Sequence, residues 1–297
     1  MNTPKVRKAI IAAAGFGTRF LPQTKAMPKE MLPLIDKPII QYIVEELVDA
    51  GIEDIVIVTG YHKRSIEDHF DQMSADLRAN LEQAGKLELL EQTKKISDMA
   101  NFVYIRQKGP YGNATPLLNA EHLIGDEPFI YSFADDFVKA SPSRFKQLIA
   151  VHQKKGGSVL TCIRTSDPED FKRYGYIGGG EVEKGLTRLN TIIEKPGSAK
   201  EAPSNLASVS GYILEPALFK YLHEAKPLLA GNEEFLLQPS VQKMIEDGHE
   251  VYGCEIENGH FYDTGNKLEY LKTVVDFALQ HPDVRDGFRD YLKTVLQ

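Results

Sequence analysis

The sequence has few cysteines, no long apolar run and no excess of positive charge. Its 297 residues include 2 cysteines, Cys162 and Cys254, which lie far apart and form no CxxC or Cys/His pattern. We therefore expect neither a disulfide framework nor a zinc site. The formal net charge of -7 argues against a broad nucleic-acid-binding surface. Any anion must instead bind at a local cluster of basic side chains.

Segments for membrane insertion or export are not predicted either. No stretch approaches the roughly 18 apolar residues of a transmembrane helix. Lys5, Arg7 and Lys8 precede a short apolar run at 9–14, as at the start of a secretory signal. However, this run is at the lower length limit for such a signal and continues directly into a glycine-rich, basic segment. We therefore expect a cytoplasmic protein that binds neither membrane nor nucleic acid.

Short apolar runs that alternate with helical patterns indicate an α/β fold. Residues Lys8 to Ala14 predict a buried strand, and the apolar spacing from Ile39 to Val48 predicts a helix that ends at Gly51. The Ile- and Val-rich run from Asp54 to Thr59 predicts the next, parallel strand. Further strands are predicted at Phe102 to Arg106, Pro128 to Phe133 and Ser158 to Ile163. The pattern predicts a doubly wound, mostly parallel, Rossmann-like sheet.

Three further segments complete the predicted organisation. Residues 72–101 are polar and helix-prone, which indicates a helical insertion on the surface. Short β-like runs from Tyr174 to Tyr212 are broken by glycines and predict an antiparallel extension at one end of the sheet. After Gly265 the sequence has helical spacing to the chain end. We therefore expect one main domain, residues 1–265, and a C-terminal helical segment, residues 266–297, packed on the core or at a subunit interface.

The segment 13–33, AAGFGTRFLPQTKAMPKEMLP, combines a glycine loop after a strand with basic residues. Gly15 and Gly17 let backbone N–H groups approach an anion closely, although a tight turn would explain the glycines alone. Arg19 and Lys29 suit a polyphosphate leaving group, on which negative charge develops as its bond breaks. The loop lacks both the GK[ST] ending of a P-loop and the third glycine of a dinucleotide fingerprint.

Two acidic segments are candidates for a divalent metal site. Asp135 and Asp136 follow a predicted strand, at the carboxyl end where ligands bind in such sheets. Two adjacent acids can also cap a helix. Asp263 lies in a turn far along the chain. Magnesium needs only one or two carboxylates when phosphate oxygens complete its shell, so Asp135 and Asp263 suffice if the fold brings them together.

Two more polar motifs follow predicted strands. Glu194-Lys195-Pro196 places an acid and a base at a strand end, where an ordinary surface ion pair is the common explanation. Gln107 ends another strand, and its amide offers both a donor and an acceptor to a planar ligand edge. Neither motif is specific when taken alone.

Together these motifs resemble those of the sugar nucleotidyltransferase family. Gly-x-Gly-Thr-Arg followed by Pro28 to Pro33 resembles the family's signature loop, and the KEMLP ending is typical of its bacterial glucose-1-phosphate uridylyltransferase branch. The resemblance implies that Arg19, Lys29 and Lys195 are the catalytic residues. It also implies contacts to the nucleotide from Ala13, Gly15, Gly17, Glu30, Gln107 and Gly112.

The resemblance extends to the second substrate and to a metal. It implies that Gly175, Glu194 and Lys195 bind a sugar phosphate and that Asp135 and Asp263 hold Mg²⁺. The implied reaction transfers a uridylyl group from UTP to glucose 1-phosphate, giving UDP-glucose and pyrophosphate. The implied partners are therefore these two small molecules, and the implied assembly is a homo-oligomer, a dimer or a tetramer.

Two segments depart from the family pattern. Residues 112–116 read GNATP where the family usually has GLGHA, and Ser210-Gly211 stands where related enzymes tend to have Gly-Arg. The first departure leaves a thymidylyltransferase, or another sugar-1-phosphate nucleotidyltransferase, as an alternative. A metal-dependent glycosyltransferase is disfavoured, since its nucleotide-sugar donor has no pyrophosphate leaving group for Arg19 and Lys29 to bind. A noncatalytic nucleotide-binding regulator would not need the complete set of charged residues.

Overall fold

Thirteen strands and ten α-helices alternate along residues 4–295, which are the residues that the computed structural model describes. The strands are β1 (Lys8–Ala13), β2 (Pro33–Leu34), β3 (Lys37–Pro38), β4 (Asp54–Thr59), β5 (Asn101–Arg106), β6 (Phe129–Phe133), β7 (Asp136–Ala140), β8 (Ser158–Arg164), β9 (Gly175–Glu183), β10 (Leu186–Glu194), β11 (Leu206–Leu214), β12 (Val251–Glu255) and β13 (Gly259–Asp263). The helices are α1 (Ile39–Asp49), α2 (Arg64–Phe70), α3 (Ala75–Gln83), α4 (Leu87–Ser97), α5 (Thr115–Ile124), α6 (Arg144–Lys155), α7 (Leu218–Ala225), α8 (Gln238–Glu246), α9 (Lys267–Ala278) and α10 (Arg285–Val295).

Nine of these strands form one sheet in the order β5-β4-β1-β6-β11-β8-β12-β10-β9. The first four strands are parallel, because helical segments cross between them, and β8 and β12 are parallel as well. The predicted α/β class is confirmed. The second half of the sheet is mixed: β9 and β10 form an antiparallel hairpin at the edge, and β11 runs antiparallel between β6 and β8. The antiparallel segment is thus built into the sheet rather than confined to one end.

Both faces of the parallel half are buried, which explains why its strands are continuous apolar runs. Side chains alternate along β1, so Ala9 and Ile11 join an apolar cluster on one face, and Ile10 joins a cluster on the other. The first cluster includes residues of α1, α6 and α9, and the second includes residues of α5, α7 and α8. Helices therefore cover both faces, as the doubly wound pattern predicts.

The segments outside this core have few buried side chains. Leu81 is the buried residue of α3, and α4 has none. Phe277 anchors α9 in the first cluster, whereas α10 has no buried residue among those described. The predicted C-terminal helix is interrupted between α9 and α10, and residues 296–297 lie outside the described range. None of the helices within residues 4–295 has the length and apolarity that crossing a bilayer requires.

Candidate active site

A cavity of about 470 Å³ opens where several strands of the sheet end. The segments that follow β1, β5 and β6 border it, as does the end of β10. In open α/β sheets the carboxyl ends of the strands are the usual place for ligands. The predicted site residues that line the cavity are Gly15, Arg19, Lys29, Gln107, Gly112, Asp135, Glu194, Lys195 and Asp263.

Four other predicted site residues do not line the cavity: Ala13, Gly17, Glu30 and Gly175. The side chain of Ala13 is buried in the core. Glu30 is fully buried, and its Oε2 accepts a hydrogen bond of 2.6 Å from Lys63 Nζ. Burial raises the pKa of Glu30 and lowers the pKa of Lys63. Glu30 is therefore paired with Lys63 inside the protein and does not line the cavity.

Gly17 and Gly175 allow close approaches within the protein. Gly17 has a φ of 67°, in the left-handed region that favours glycine, and its carbonyl accepts a hydrogen bond of 2.7 Å from the Thr24 hydroxyl. A Cβ added to Gly175 would lie 2.9 Å from Glu194 Oε2. The absent side chain of Gly175 thus leaves room for the Glu194 carboxylate, whose pKa is raised by burial.

Two long-range hydrogen bonds join the glycine-loop segment to the acidic end of the cavity. Lys29 Nζ donates to Asp135 Oδ2, and Arg19 Nη1 donates to the carbonyl of Gly265 at 3.2 Å. Burial acts to lower the pKa of Lys29. The carboxylates of Asp135 and Glu30 raise the pKa by more than burial lowers it, so the net shift is upward. Lys29 is therefore a fixed positive charge at the cavity wall.

Pairing between β7 and β13 brings the acidic residues together. The strands are antiparallel, and their register places Asp263 opposite Asp136. The backbone N–H and hydroxyl of Thr264 both donate to the carbonyl of Asp135, at 3.1 and 2.6 Å. Burial and the neighbouring Asp135 raise the pKa of Asp136 to about 7. The same two causes raise the pKa of Asp263.

Asp135 and Asp263 converge on Gly265. A Cβ added to Gly265 would lie 2.8 Å from Asp135 Oδ2 and 3.2 Å from Asp263 Oδ1. Within residues 4–295, no group of three or more His, Cys, Asp or Glu side chains could hold a metal. Two carboxylates fit Mg²⁺ when ligand phosphate oxygens complete the coordination shell, and they leave room for that ligand.

The opposite wall of the cavity is formed by the end of β10 and the start of β9. Lys195 Nζ lies 3.6 Å from Glu194 Oε1, and the Lys195 backbone has a φ of 48°, which is uncommon for a residue other than glycine. The N–H of Lys195 donates to the carbonyl of Tyr174 at 3.1 Å. The hydroxyl of Tyr174 in turn donates to Asp263 Oδ2 at 3.0 Å. Tyr174 therefore connects the Glu194-Lys195 pair to the acidic residues.

The segment 112–116, which departs from the family pattern, is fixed to the chain preceding α8. Gly112 has a φ of 135°, and a Cβ added there would lie 2.2 Å from the carbonyl oxygen of Phe235. That carbonyl accepts from the N–H of Ala114 at 2.9 Å, and Asn113 Oδ1 accepts from the N–H of Leu237 at 2.7 Å. Only glycine fits at position 112, whereas Asn113 supplies a contact specific to this segment.

The second departure, Ser210-Gly211, is explained by a buried arginine. Gly211 has a φ of 101°, and a Cβ added there would lie 2.9 Å from Arg144 Nη1. That nitrogen donates to the carbonyl of Ser210 at 2.6 Å, and the side chain of Arg144 is fully buried. The space beside residue 211 is thus filled by a side chain from α6.

Some cavity residues are not indicated by any motif. Arg173, Glu234, Leu236 and Asn266 also line the cavity. Arg173 directly precedes the Tyr174-Gly175 pair, which is the one sequence signal that could have found it. Glu234 and Leu236 enter through the loop before α8, whose sequence carries no recognisable spacing.

Comparisons with known proteins agree on one family. The family model described as nucleotidyl transferase matches residues 8–279. The chain is 46% identical, over 98% of both chains, to the UTP–glucose-1-phosphate uridylyltransferase of Bacillus subtilis strain 168. A solved structure of UDP-glucose pyrophosphorylase complexed with UDP-glucose has a TM-score of 0.82 and 35% identity, covering 93% of this chain and 100% of that one. The UTP-bound enzyme from Acinetobacter baumannii has a TM-score of 0.87 and 30% identity, covering 97% and 99%.

Proposed function

The chain belongs to the nucleotidyl transferase family, and we propose that the cavity at its strand ends transfers a uridylyl group from UTP to glucose 1-phosphate. The enzyme is a nucleotidyltransferase, and its products are UDP-glucose and pyrophosphate. One observation carries the assignment of this reaction to the cavity. Asp135 and Asp263 meet at Gly265, beside the two cations of the glycine loop.

The glycine-loop side of the cavity binds the nucleotide in this proposal. Gly15, Arg19 and Lys29 line the wall and meet the triphosphate, with the two cations placed where negative charge develops on the departing pyrophosphate. Gln107 lines the same cavity and offers its amide to the uracil edge. Gly112 holds the neighbouring loop close enough to enclose the base. Ala13, Gly17 and Glu30 act from behind this wall.

The opposite side binds the sugar phosphate. Glu194 accepts hydrogen bonds from sugar hydroxyls, because a carboxylate is an acceptor-only group when ionised. Lys195, a compact cation, binds the phosphate. Gly175 contributes by leaving room for the Glu194 carboxylate. The supporting observation is that these residues face the glycine loop across one cavity.

We assign a Mg²⁺ ion to Asp135 and Asp263, with phosphate oxygens of the substrates as its other ligands. When bound, this ion would supply positive charge that offsets the negative charge of the substrate phosphates. Lys29, which donates to Asp135, holds that carboxylate in place. Thr264 does the same through the Asp135 carbonyl.

Catalysis then consists of alignment and charge neutralisation. An oxygen of glucose 1-phosphate attacks the α-phosphorus of UTP, a new P–O bond forms in line, and the bond to pyrophosphate breaks. The attacking phosphate is already ionised at neutral pH, so no side chain needs to act as a nucleophile or to remove a proton. Arg19, Lys29 and Lys195 neutralise the charge on the reacting groups.

The test is release of pyrophosphate from purified protein incubated with Mg²⁺, glucose 1-phosphate and one nucleotide at a time: UTP, dTTP, ATP, CTP or GTP. We expect release with UTP, and we expect it to stop when Mg²⁺ is removed. Release with dTTP in place of UTP would instead indicate a thymidylyltransferase, in which the altered segment 112–116 reads a different base. No release with any nucleotide would contradict the assignment.

Three properties of the whole enzyme are also proposed. Residues 1–265 form the catalytic domain, with residues 72–101 as a surface insertion and 266–297 as an accessory helical segment. The enzyme is a cytoplasmic homo-oligomer, a dimer or a tetramer. Light scattering on the purified full chain would measure the mass of the assembly, and the mass of a monomer would contradict the proposed homo-oligomer. Cell fractionation would test the location.

A further inference from the structure

Four cationic side chains line the cavity: Arg19, Lys29, Arg173 and Lys195. The proposed function uses three of them. Arg173 stands apart because it belongs to no phosphate-binding motif of the sequence. Its place in the structure nevertheless connects it to both sides of the site.

Arg173 lies between a single 3₁₀ turn, Asp170–Lys172, and Tyr174. The carbonyl of Tyr174 accepts from the N–H of Lys195, and its hydroxyl donates to Asp263 Oδ2. The backbone that positions Arg173 is therefore bonded to the sugar-phosphate side and, through Tyr174, to the metal side. In the proposed function, the attacking phosphate lies between these two sides.

The guanidinium of Arg173 has two partners among the described side chains, the Tyr174 hydroxyl, which accepts a hydrogen bond, and the Asp170 carboxylate. Its contact with a carboxylate is to Asp170 Oδ1 at 3.7 Å, too long for a strong hydrogen bond. The other oxygen of Asp170 accepts from the Thr165 hydroxyl. The Arg173 side chain is 32% exposed. A guanidinium has five N–H donors, so Arg173 keeps several of them available to a ligand in the cavity.

The electrostatic surroundings keep this arginine charged. Burial acts to lower the pKa of Arg173. Tyr174, Asp170 and Asp263 raise the pKa by more than burial lowers it, so the net shift is upward. Arg173 and Asp263 also line the same cavity, so the guanidinium shares this space with the acidic residues.

We propose that Arg173 binds the phosphate of glucose 1-phosphate together with Lys195. The inference rests on the proposed function, to which it adds a substrate-binding residue. A guanidinium presents paired N–H donors that match two phosphate oxygens, whereas Lys195 supplies a point charge. The two cations together fix the rotation of the phosphate, and so direct its third oxygen toward the α-phosphorus of UTP.

The experiment compares Arg173→Gln and Arg173→Lys with the parent enzyme, with Lys172→Gln as the matched control. Lys172 is exposed, pairs with Glu169 and does not line the cavity. We expect Arg173→Gln to raise KM for glucose 1-phosphate by about 10- to 100-fold, as for loss of a charge-assisted hydrogen bond. KM for UTP should stay unchanged. Arg173→Lys should recover part of the loss, because it keeps the charge without the paired donors.

Two results would overturn the inference. One is an unchanged KM for glucose 1-phosphate in Arg173→Gln while the parent forms UDP-glucose; the proposed function would then stand without it. The other is an equal rise in both KM values, which a disturbed fold would produce. Calorimetric titration with glucose 1-phosphate separates the two proposals, since binding that is lost in Arg173→Gln would support the inference even if the parent formed no UDP-glucose.

Discussion

Lys29 is the side chain that joins the glycine loop to the acidic residues of the cavity. Its ammonium donates to Asp135, so the two residues form one charged unit although they are 106 positions apart. A lysine held in this way needs no rearrangement when charge develops on a bound phosphate. Such preorganised donors contribute most to catalysis where water is excluded.

We expect Lys29→Ala to lower turnover by about 10²- to 10³-fold with little effect on folding, because it removes a preorganised cation. Asp135→Asn should lose most turnover as well, since an amide is a poor Mg²⁺ ligand. Pyrophosphate release measures both effects. Lys25→Ala is the control, because Lys25 is exposed on the same loop and does not line the main cavity. Unfolding of either site variant where the parent is folded would contradict the assignment.

Gly265 matters because of the side chain it lacks. Its alanine variant would place a methyl group 2.8 Å from Asp135 Oδ2, so the carboxylates would have to separate. A displacement of about 1 Å in a reacting group can cost roughly 10²-fold in rate. We therefore expect Gly265→Ala to need more Mg²⁺ and to turn over more slowly, measured as initial rate against Mg²⁺ concentration.

Gly287→Ala is the matched control for that variant. A Cβ at Gly287 meets nothing within 4 Å, and the residue lies in α10. Alanine should therefore stabilise this helix slightly and leave the Mg²⁺ dependence unchanged. An identical Mg²⁺ dependence in Gly265→Ala and the parent would show that the two carboxylates do not bind Mg²⁺ beside Gly265.

Helix α6 is tied to its neighbours by a buried ion pair. Arg144 donates to both oxygens of Glu46 on α1, at 3.1 and 2.8 Å, and to the carbonyl of Ser210 on β11. Its guanidinium also lies 4.4 Å from the ring centre of Phe145. One side chain thus links three elements beneath the strand that ends at the acidic residues.

We expect Arg144→Met to lower the free energy of unfolding by about 3–5 kcal/mol, because it leaves the buried Glu46 without its partner. The double variant Arg144→Met, Glu46→Met should recover part of this loss, since no charge remains buried. Urea unfolding measures both. A double variant no more stable than the single one would show that the contact to Ser210, rather than the ion pair, matters.

The same variant has an expected pH dependence. Burial raises the pKa of Glu46 even when Arg144 is present. Without Arg144, the folded state binds a proton more readily than the unfolded state. The deficit of Arg144→Met relative to the parent should therefore be full at neutral pH and shrink as the pH falls toward about 4.5, the ordinary value for a glutamate.

The whole molecule places the two substrate sides on different parts of one sheet. The proposed nucleotide side belongs to the parallel strands, and the proposed sugar-phosphate side belongs to the hairpin of β9 and β10, which joins the sheet at its far edge. A ligand that contacts both parts of the sheet, or a metal between them, can bind the folded chain but not the unfolded chain. Its binding must therefore stabilise the folded state.

We expect UTP with Mg²⁺ to raise the free energy of unfolding by about 2.7 kcal/mol at 100 times the dissociation constant. The Mg²⁺-dependent part of this increase should vanish in Asp135→Asn. The shift of the urea midpoint measures it in each case. An equal shift with and without a chelator would argue that the nucleotide binds without a metal at the carboxylates.

The local features of this protein could be predicted from its sequence. Short continuous apolar runs predict the strands, because a strand buried on both faces needs apolar side chains at every position. The strands β1, β4 and β6 lie at these runs. The glycine loop and its cations are close together in the chain, so the sequence could predict that they lie together, as Gly15, Arg19 and Lys29 do at the cavity; their binding of an anion stays a prediction. Motif resemblance extended this to the family, which the comparisons confirm.

Contacts between distant segments were decided by the tertiary structure. The meeting of Asp135 with Asp263 depends on the register of β7 with β13, and the mixed sheet depends on where β11 inserts. The sequence also cannot show that Glu30 is buried against Lys63 while Arg173 reaches the cavity. The reason is physical. Periodicity in the sequence shows which face of an element is apolar, whereas the site depends on which elements become neighbours when those faces are buried together.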